Sequence, residues 1–163
     1  MRLDGSCHCS AVQFSLESAH LHPFALCYCS VCRKTAGTGG YAINLGGDAA
    51  SLTIKGDDHI RVYRARVTGA AGTPALSPLE RRFCGLCGSM LWCWDPRWPD
   101  LVHPFASAID TALPVPPERT HLMLGSKASW VVPHIAPTDK AFDAFPEESL
   151  AQWHERLGLV AED

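Results

Sequence analysis

Eight cysteines, set in tight clusters, are where this 163-residue sequence concentrates its chemistry. They stand at Cys7, Cys9, Cys27, Cys29, Cys32, Cys84, Cys87 and Cys93. An even count suggests disulfides, but that framework belongs to short exported chains. The opening Met-Arg-Leu-Asp-Gly-Ser-Cys lacks the apolar stretch of a signal peptide. In a reducing compartment, clustered thiols point instead to metal binding or redox chemistry. Phe83-Cys84-Gly85-Leu86-Cys87-Gly88 reads as a zinc knuckle, a turn that converges two thiolates on one ion. One knuckle is half of a tetrahedral site, and its partner is either Cys7-His8-Cys9 or the Cys27–Cys32 group. A thioredoxin-like redox pair would need a βαβ unit around the motif, and the pattern shows none.

Cys27-Tyr28-Cys29-Ser30-Val31-Cys32 sets three thiols within six residues. Three protein ligands with a fourth position left open is the arrangement of a catalytic zinc. The alternatives are a site closed by Cys93 or a histidine, a Cys29–Cys32 disulfide, or a redox sensor. Three thiolates more than cancel the charge of a divalent ion, which suits such a centre poorly to splitting water. It suits it well to holding an exogenous thiol, lowering its pKa while leaving the sulfur nucleophilic. Arg33 and Lys34 follow at once and are candidates to offset the anionic charge or to bind a substrate carboxylate. Cys93, between Trp92 and Trp94, reads as a buried, inert thiol. The eight histidines show no i, i+4 pairing, and at most they orient the ligands from behind.

The elements that must position these groups are mostly strands. Period-two alternation recurs at Val12, Phe14 and Leu16, at Tyr41, Ile43 and Leu45, at Ile60 and Val62, and at Met90, Trp92 and Trp94. Shorter candidates are 52–54, 101–103, 121–123 and 130–132, with His121 and His134 in late strands. Gly46-Gly47-Asp48, Gly56-Asp57-Asp58 and Asp95-Pro96 punctuate them. Two stretches read as helix: 30–36 after Cys29, and 147–157, where Leu150, Trp153 and Leu157 fall at helical spacing after Pro146. Residues 68–78, small and aperiodic, read as a loop covering the second cysteine group, and 111–120 as a proline-stiffened loop.

Hydrophobic residues make up 47% and charged residues 19%, a globular composition without a second core or repeat, so 1–163 is taken as a single zinc-binding domain. The net charge of −3 argues against nucleic acid and anionic membrane as partners. No apolar run reaches the ~20 residues of a membrane span, and a soluble, cytoplasmic protein is the expectation.

Three segments together carry a resemblance: Gly5-Ser6-Cys7-His8-Cys9-Ser10-Ala11-Val12, Cys27-Tyr28-Cys29-Ser30-Val31-Cys32-Arg33-Lys34 and Arg82-Phe83-Cys84-Gly85-Leu86-Cys87-Gly88-Ser89. In this order they resemble the glutathione-dependent formaldehyde-activating enzyme family, which includes the centromere protein V-like domain. The similarity covers about residues 4–147, continuing through Lys127 to Trp130 and Phe145-Pro146. It implies a mainly β fold of the β-tent type, antiparallel sheets clamped by zinc, with a short C-terminal helix. It implies a structural zinc on Cys7, Cys9, Cys84 and Cys87, and a second, functional zinc on Cys27, Cys29 and Cys32. The activity implied is addition of glutathione to formaldehyde to give S-hydroxymethylglutathione, formally a carbon–sulfur lyase in reverse. The alternatives are a non-catalytic thiol carrier and a zinc-stabilised interaction module. Two departures from the family pattern stand out. Tyr28 replaces the histidine usual between the first two ligands of the second site, and a longer segment through Pro78 follows Tyr63.

Overall fold

The computed structural model describes residues 1–68 and 72–161. Alternation in the opening segment produces a hairpin of β1 (Arg2–Ser6) and β2 (Gln13–Glu17), paired antiparallel with Leu3 opposite Leu16 and Gly5 opposite Phe14. Gly5 is required there, because a Cβ would overlap the Phe14 ring and the Ala108 carbonyl. β6 (Thr53–Lys55) completes this sheet on the free edge of β2. A second, antiparallel sheet runs in the order β5 (Gly47–Asp48), β10 (Leu101–Pro104), β9 (Met90–Trp94), β8 (Pro74–Cys84), β7 (Ile60–Thr68). Leu3, Val12, Phe14, Leu16, Leu91, Trp92 and Val102 fill one core, with the Phe14 and Trp92 rings 5.0 Å apart.

A third sheet orders β12 (Lys140–Ala141), β11 (Thr120–Leu122), β3 (Ala25–Cys27) and β4 (Ala42–Ile43). β11 lies parallel to both β3 and β12, so this sheet departs from the purely antiparallel expectation. Parallel neighbours need a long return path. Between β3 and β11 the chain builds α1 and the second sheet, and between β11 and β12 residues 123–139 supply the path. A second buried cluster contains Cys27, Cys32, Cys93, Phe105 and Leu122, so the three-cysteine group is part of a core.

The mainly β fold with a short C-terminal helix is what the structure shows. The first helix is α1 (Ser30–Thr35). The second, α2 (Leu150–Arg156), starts later than Pro146 suggests, because Ser149 and Gln152 form a reciprocal capping box at its N-terminus. It buries Trp153 completely, stacked on Phe24 with centroids 3.8 Å apart. Arg156 ties the helix to Glu118 and Glu148.

Three further sequence expectations fail: Gly47 and Asp48, read as a turn, pair with Leu101 and Val102 as β5, and the other two concern 68–78 and 130–132. Within 68–78, Thr68 ends β7 and Pro74 to Pro78 open β8, paired as Arg66–Leu76, Val67–Ala75 and Thr68–Pro74. The β-rich partner strand, with Ile60, Val62, Tyr63 and Val67, recruits residues whose own propensity is weak, and Pro74 sits where it interrupts least. The tip, 69–71, lies outside the described residues. Residues 130–132 form no strand: Val131 closes a turn onto Ala128, and Pro133 ends any extension, leaving His134 in irregular chain.

Candidate metal centres

Cys7 follows β1, and a tight turn then carries Cys9 back toward it. Ser10 NH donates to the Cys7 carbonyl at 2.9 Å, Ser10 adopts φ 61°, and Val12 NH donates to Cys7 Sγ at 3.3 Å. Cys84 ends β8, and the knuckle closes with Gly88 NH on the Cys84 carbonyl at 2.8 Å, at a Gly88 φ of 77° that a side chain would strain. Hydrogen bonding between the two turns is direct: His8 NH donates to Ser89 Oγ at 3.1 Å, and that hydroxyl lies 3.2 Å from Cys87 Sγ. The Ser89 contact pulls the Cys87 thiol down to about 5.

All four sulfurs lie within 4.8 Å of one another. Cys7–Cys9 is 3.5 Å and Cys9–Cys84 is 3.8 Å, too long for disulfides. Zinc–sulfur bonds of ~2.3 Å in a tetrahedron set sulfurs ~3.8 Å apart, so this donor set fits the ion. Cys7 and Cys84 are buried in the first core, and Cys9 and Cys87 are exposed.

The second group forms where β3 turns into α1. Cys27 ends the strand, and Cys29 caps the helix, accepting from Cys32 NH at 3.3 Å. Cys32 stands on the first turn, which brings its sulfur back to the other two. The three Sγ atoms lie within 4.8 Å. Hydrogen bonds from the Cys27 and Cys32 thiols, joined by the Cys32 NH, lower the Cys29 thiol below its ordinary value. Sharing with Cys29 and burial raise Cys27. Cys27 and Cys32 are buried while Cys29 is partly exposed, which gives the trio one side toward solvent. Among the described residues, no histidine or carboxylate joins either group.

Arg33 and Lys34 occupy the last turn of α1 and line a cleft of ≈ 570 Å³ with Cys7, His8, Ser89 and Asp110, so the cleft lies against the four-sulfur group and Cys27, Cys29 and Cys32 do not line it. Tyr28 points away from the sulfurs into the Leu26–Val131 cluster, where its hydroxyl meets His121 Nδ1 at 2.9 Å. His121 continues to Asp139 at 3.4 Å, so this histidine anchors the backbone between Cys27 and Cys29 from behind.

Sequence reasoning missed Arg81. It is 6% exposed, directly across the ladder from Cys93, and its Nη2 donates to Cys32 Sγ at 3.7 Å. Its strand neighbours Glu80 and Arg82 pair with each other, and the spacing alone carried no signal of the face Arg81 takes. Cys93 is buried as expected, and burial pushes its thiol up to about 12. It lies in the same cluster as Cys27 and Cys32 but outside the three-sulfur group.

Comparison with known proteins identifies the family. The profile of the glutathione-dependent formaldehyde-activating enzyme family matches residues 2–124. A protein of Halomonas elongata, provisionally named a glutathione-dependent formaldehyde-activating enzyme, is 57% identical over 159 residues, which is 98% of each chain. A crystal structure of a Rhodobacter sphaeroides protein superposes with a TM-score of 0.51 at 22% identity, covering 70% of this chain and 92% of the other. That last likeness concerns the fold alone.

Proposed function

Because the chain belongs to the glutathione-dependent formaldehyde-activating enzyme family, we propose that Cys27, Cys29 and Cys32 hold a functional zinc where glutathione, or a similar small thiol, adds to an aldehyde such as formaldehyde. Cys7, Cys9, Cys84 and Cys87 would hold a structural zinc. The observation that carries this reading is the contrast between the groups: one gathers four sulfurs, the other three. When bound at the three-sulfur group, zinc supplies an open coordination position and acidifies a thiol there.

The chain's own residues do the rest. Hydrogen bonds from Cys27, Cys32 and the Cys32 NH favour the Cys29 thiolate, which eases the proton loss that accepting a cation requires. Cys29 is the partly exposed member of the trio, on the side from which a substrate would enter. Arg33 and Lys34 project from the same helix and are suited to the carboxylates of glutathione. In the forward direction the thiol S–H bond breaks and a carbon–sulfur bond forms. The carbonyl oxygen takes up a proton, and nothing is oxidised or reduced. The reverse is a carbon–sulfur lyase step. Thiol chemistry of this kind belongs to a reducing compartment, the cytoplasm, and no helix among the described residues is long and apolar enough to cross a membrane.

Exchange NMR on formaldehyde–glutathione mixtures tests the proposal. Catalytic amounts of zinc-loaded protein are expected to speed exchange between free and adduct glutathione, and Cys29→Ser to abolish the gain. Binding without acceleration would identify a carrier instead. No glutathione binding at all would leave an interaction module.

A further inference from the structure

β8 carries Glu80, Arg81 and Arg82 in succession, and they divide between its faces. Glu80 is satisfied by Arg64 and Arg82 on one side. Arg81 turns the other way, into the cluster of Cys27, Cys32 and Cys93, where it is 6% exposed. Among the described residues no carboxylate pairs with it, and its Nε has no partner. A guanidinium taken out of water without a counter-charge is costly. Among the described residues the hydrogen-bond partner of the guanidinium is Cys32 Sγ. A fixed cation therefore sits against the sulfurs themselves, which Arg33 and Lys34, lining the cleft outside, do not.

Resting on the functional reading above, we infer that Arg81 is the built-in counter-ion of the three-sulfur centre and sets its preference for an anionic sulfur as fourth ligand. The charge arithmetic supports this. Three thiolates on a divalent ion leave a net charge of about −1, and an incoming thiolate takes it to about −2 in a largely buried site. With Arg81 beside it the centre goes from about neutral to about −1 as the anion enters, where without Arg81 it would go from about −1 to about −2, so the incoming anion meets less repulsion. A neutral fourth ligand gains nothing comparable. Arg81 thus acts through Cys32 as a specificity-determining residue and does not itself touch the reacting carbon.

Cobalt-substituted protein gives a visible spectrum that reports the fourth ligand without turnover. Glutathione and neutral imidazole are titrated into wild type, Arg81→Met and Arg81→Lys, and cobalt affinity is measured by chelator competition. Arg81→Met is expected to weaken glutathione at least about tenfold relative to imidazole and to weaken cobalt binding, with Arg81→Lys recovering most of both. Equal losses for the two ligands, or glutathione binding to Arg81→Met as tightly as to wild type, would overturn the inference and leave the functional reading standing. Wild type that binds imidazole but not glutathione would overturn both. Should Arg81→Met not fold, Arg81→Gln against Arg81→Lys gives the same comparison.

Discussion

Replacing Cys84 with serine severs a connection between the opening hairpin and the late knuckle, whereas replacing Cys29 cuts a local one. Cys9 and Cys84 are 75 residues apart, and their cross-link removes about 4.4 kcal/mol of denatured-state chain entropy at 25 °C, by the loop-closure relation. The roughly five-residue loop from Cys27 to Cys32 removes only about 2 kcal/mol by the same relation. The difference, about 2 kcal/mol, corresponds to roughly 5–9 °C in midpoint for a chain of this size. Burial acts in the same direction, since Cys84 is 0% exposed and Cys29 partly exposed. Thermal unfolding followed by circular dichroism, in reducing buffer with equal zinc, is the assay. Cys84→Ser should melt at least about 5 °C below Cys29→Ser, or fail to accumulate, in which case the exposed Cys87→Ser takes its place. Equal midpoints, or the reverse order, would refute the assignment of one site to the fold and the other to chemistry.

Trp153→Ala should cost about 3–5 kcal/mol through loss of the Phe24 stack, and metal and thiol binding by the refolded protein should be unchanged. Acid should weaken the same region. Burial lowers His154 from 6.5 to about 4, so its neutral form stabilises the fold above pH 6.5, and that contribution is lost as pH falls through 6.5 toward 4. Denaturant midpoints measured across that range should drop, and His154→Gln should flatten the slope without abolishing it, because burial also lowers His20 and His22. Arg33→Ser with Lys34→Ser should weaken glutathione several-fold in calorimetry while leaving 2-mercaptoethanol, which has no carboxylate, unaffected. Equal losses would remove the carboxylate role.

Much of this was legible because it is local or strongly patterned. Cys27, Cys29 and Cys32 announce their convergence by spacing alone, and the alternation at Val12, Phe14 and Leu16 marked its strand. The pairing of Cys7 and Cys9 with Cys84 and Cys87 is non-local, and spacing left two partners open until the family pattern chose between them. Residues 74–78 escaped notice because their strand state comes from β7, not from their own side chains. Val131 read as a strand residue, but its hydrophobicity serves the packing of Tyr28. Arg81 was hidden because a single arginine in a run of charges gives no sign of which face it occupies, and the ladder register decides that.

Cadmium-113 NMR of fully loaded protein under reducing conditions, with and without glutathione, tests the central claim most directly. The account predicts two resonances per chain, one from the four-sulfur group that ignores glutathione and one from the three-sulfur group that shifts on its addition. Cys29→Ser should remove only the second. A single resonance after full reconstitution, or two resonances that glutathione leaves in place, would contradict it.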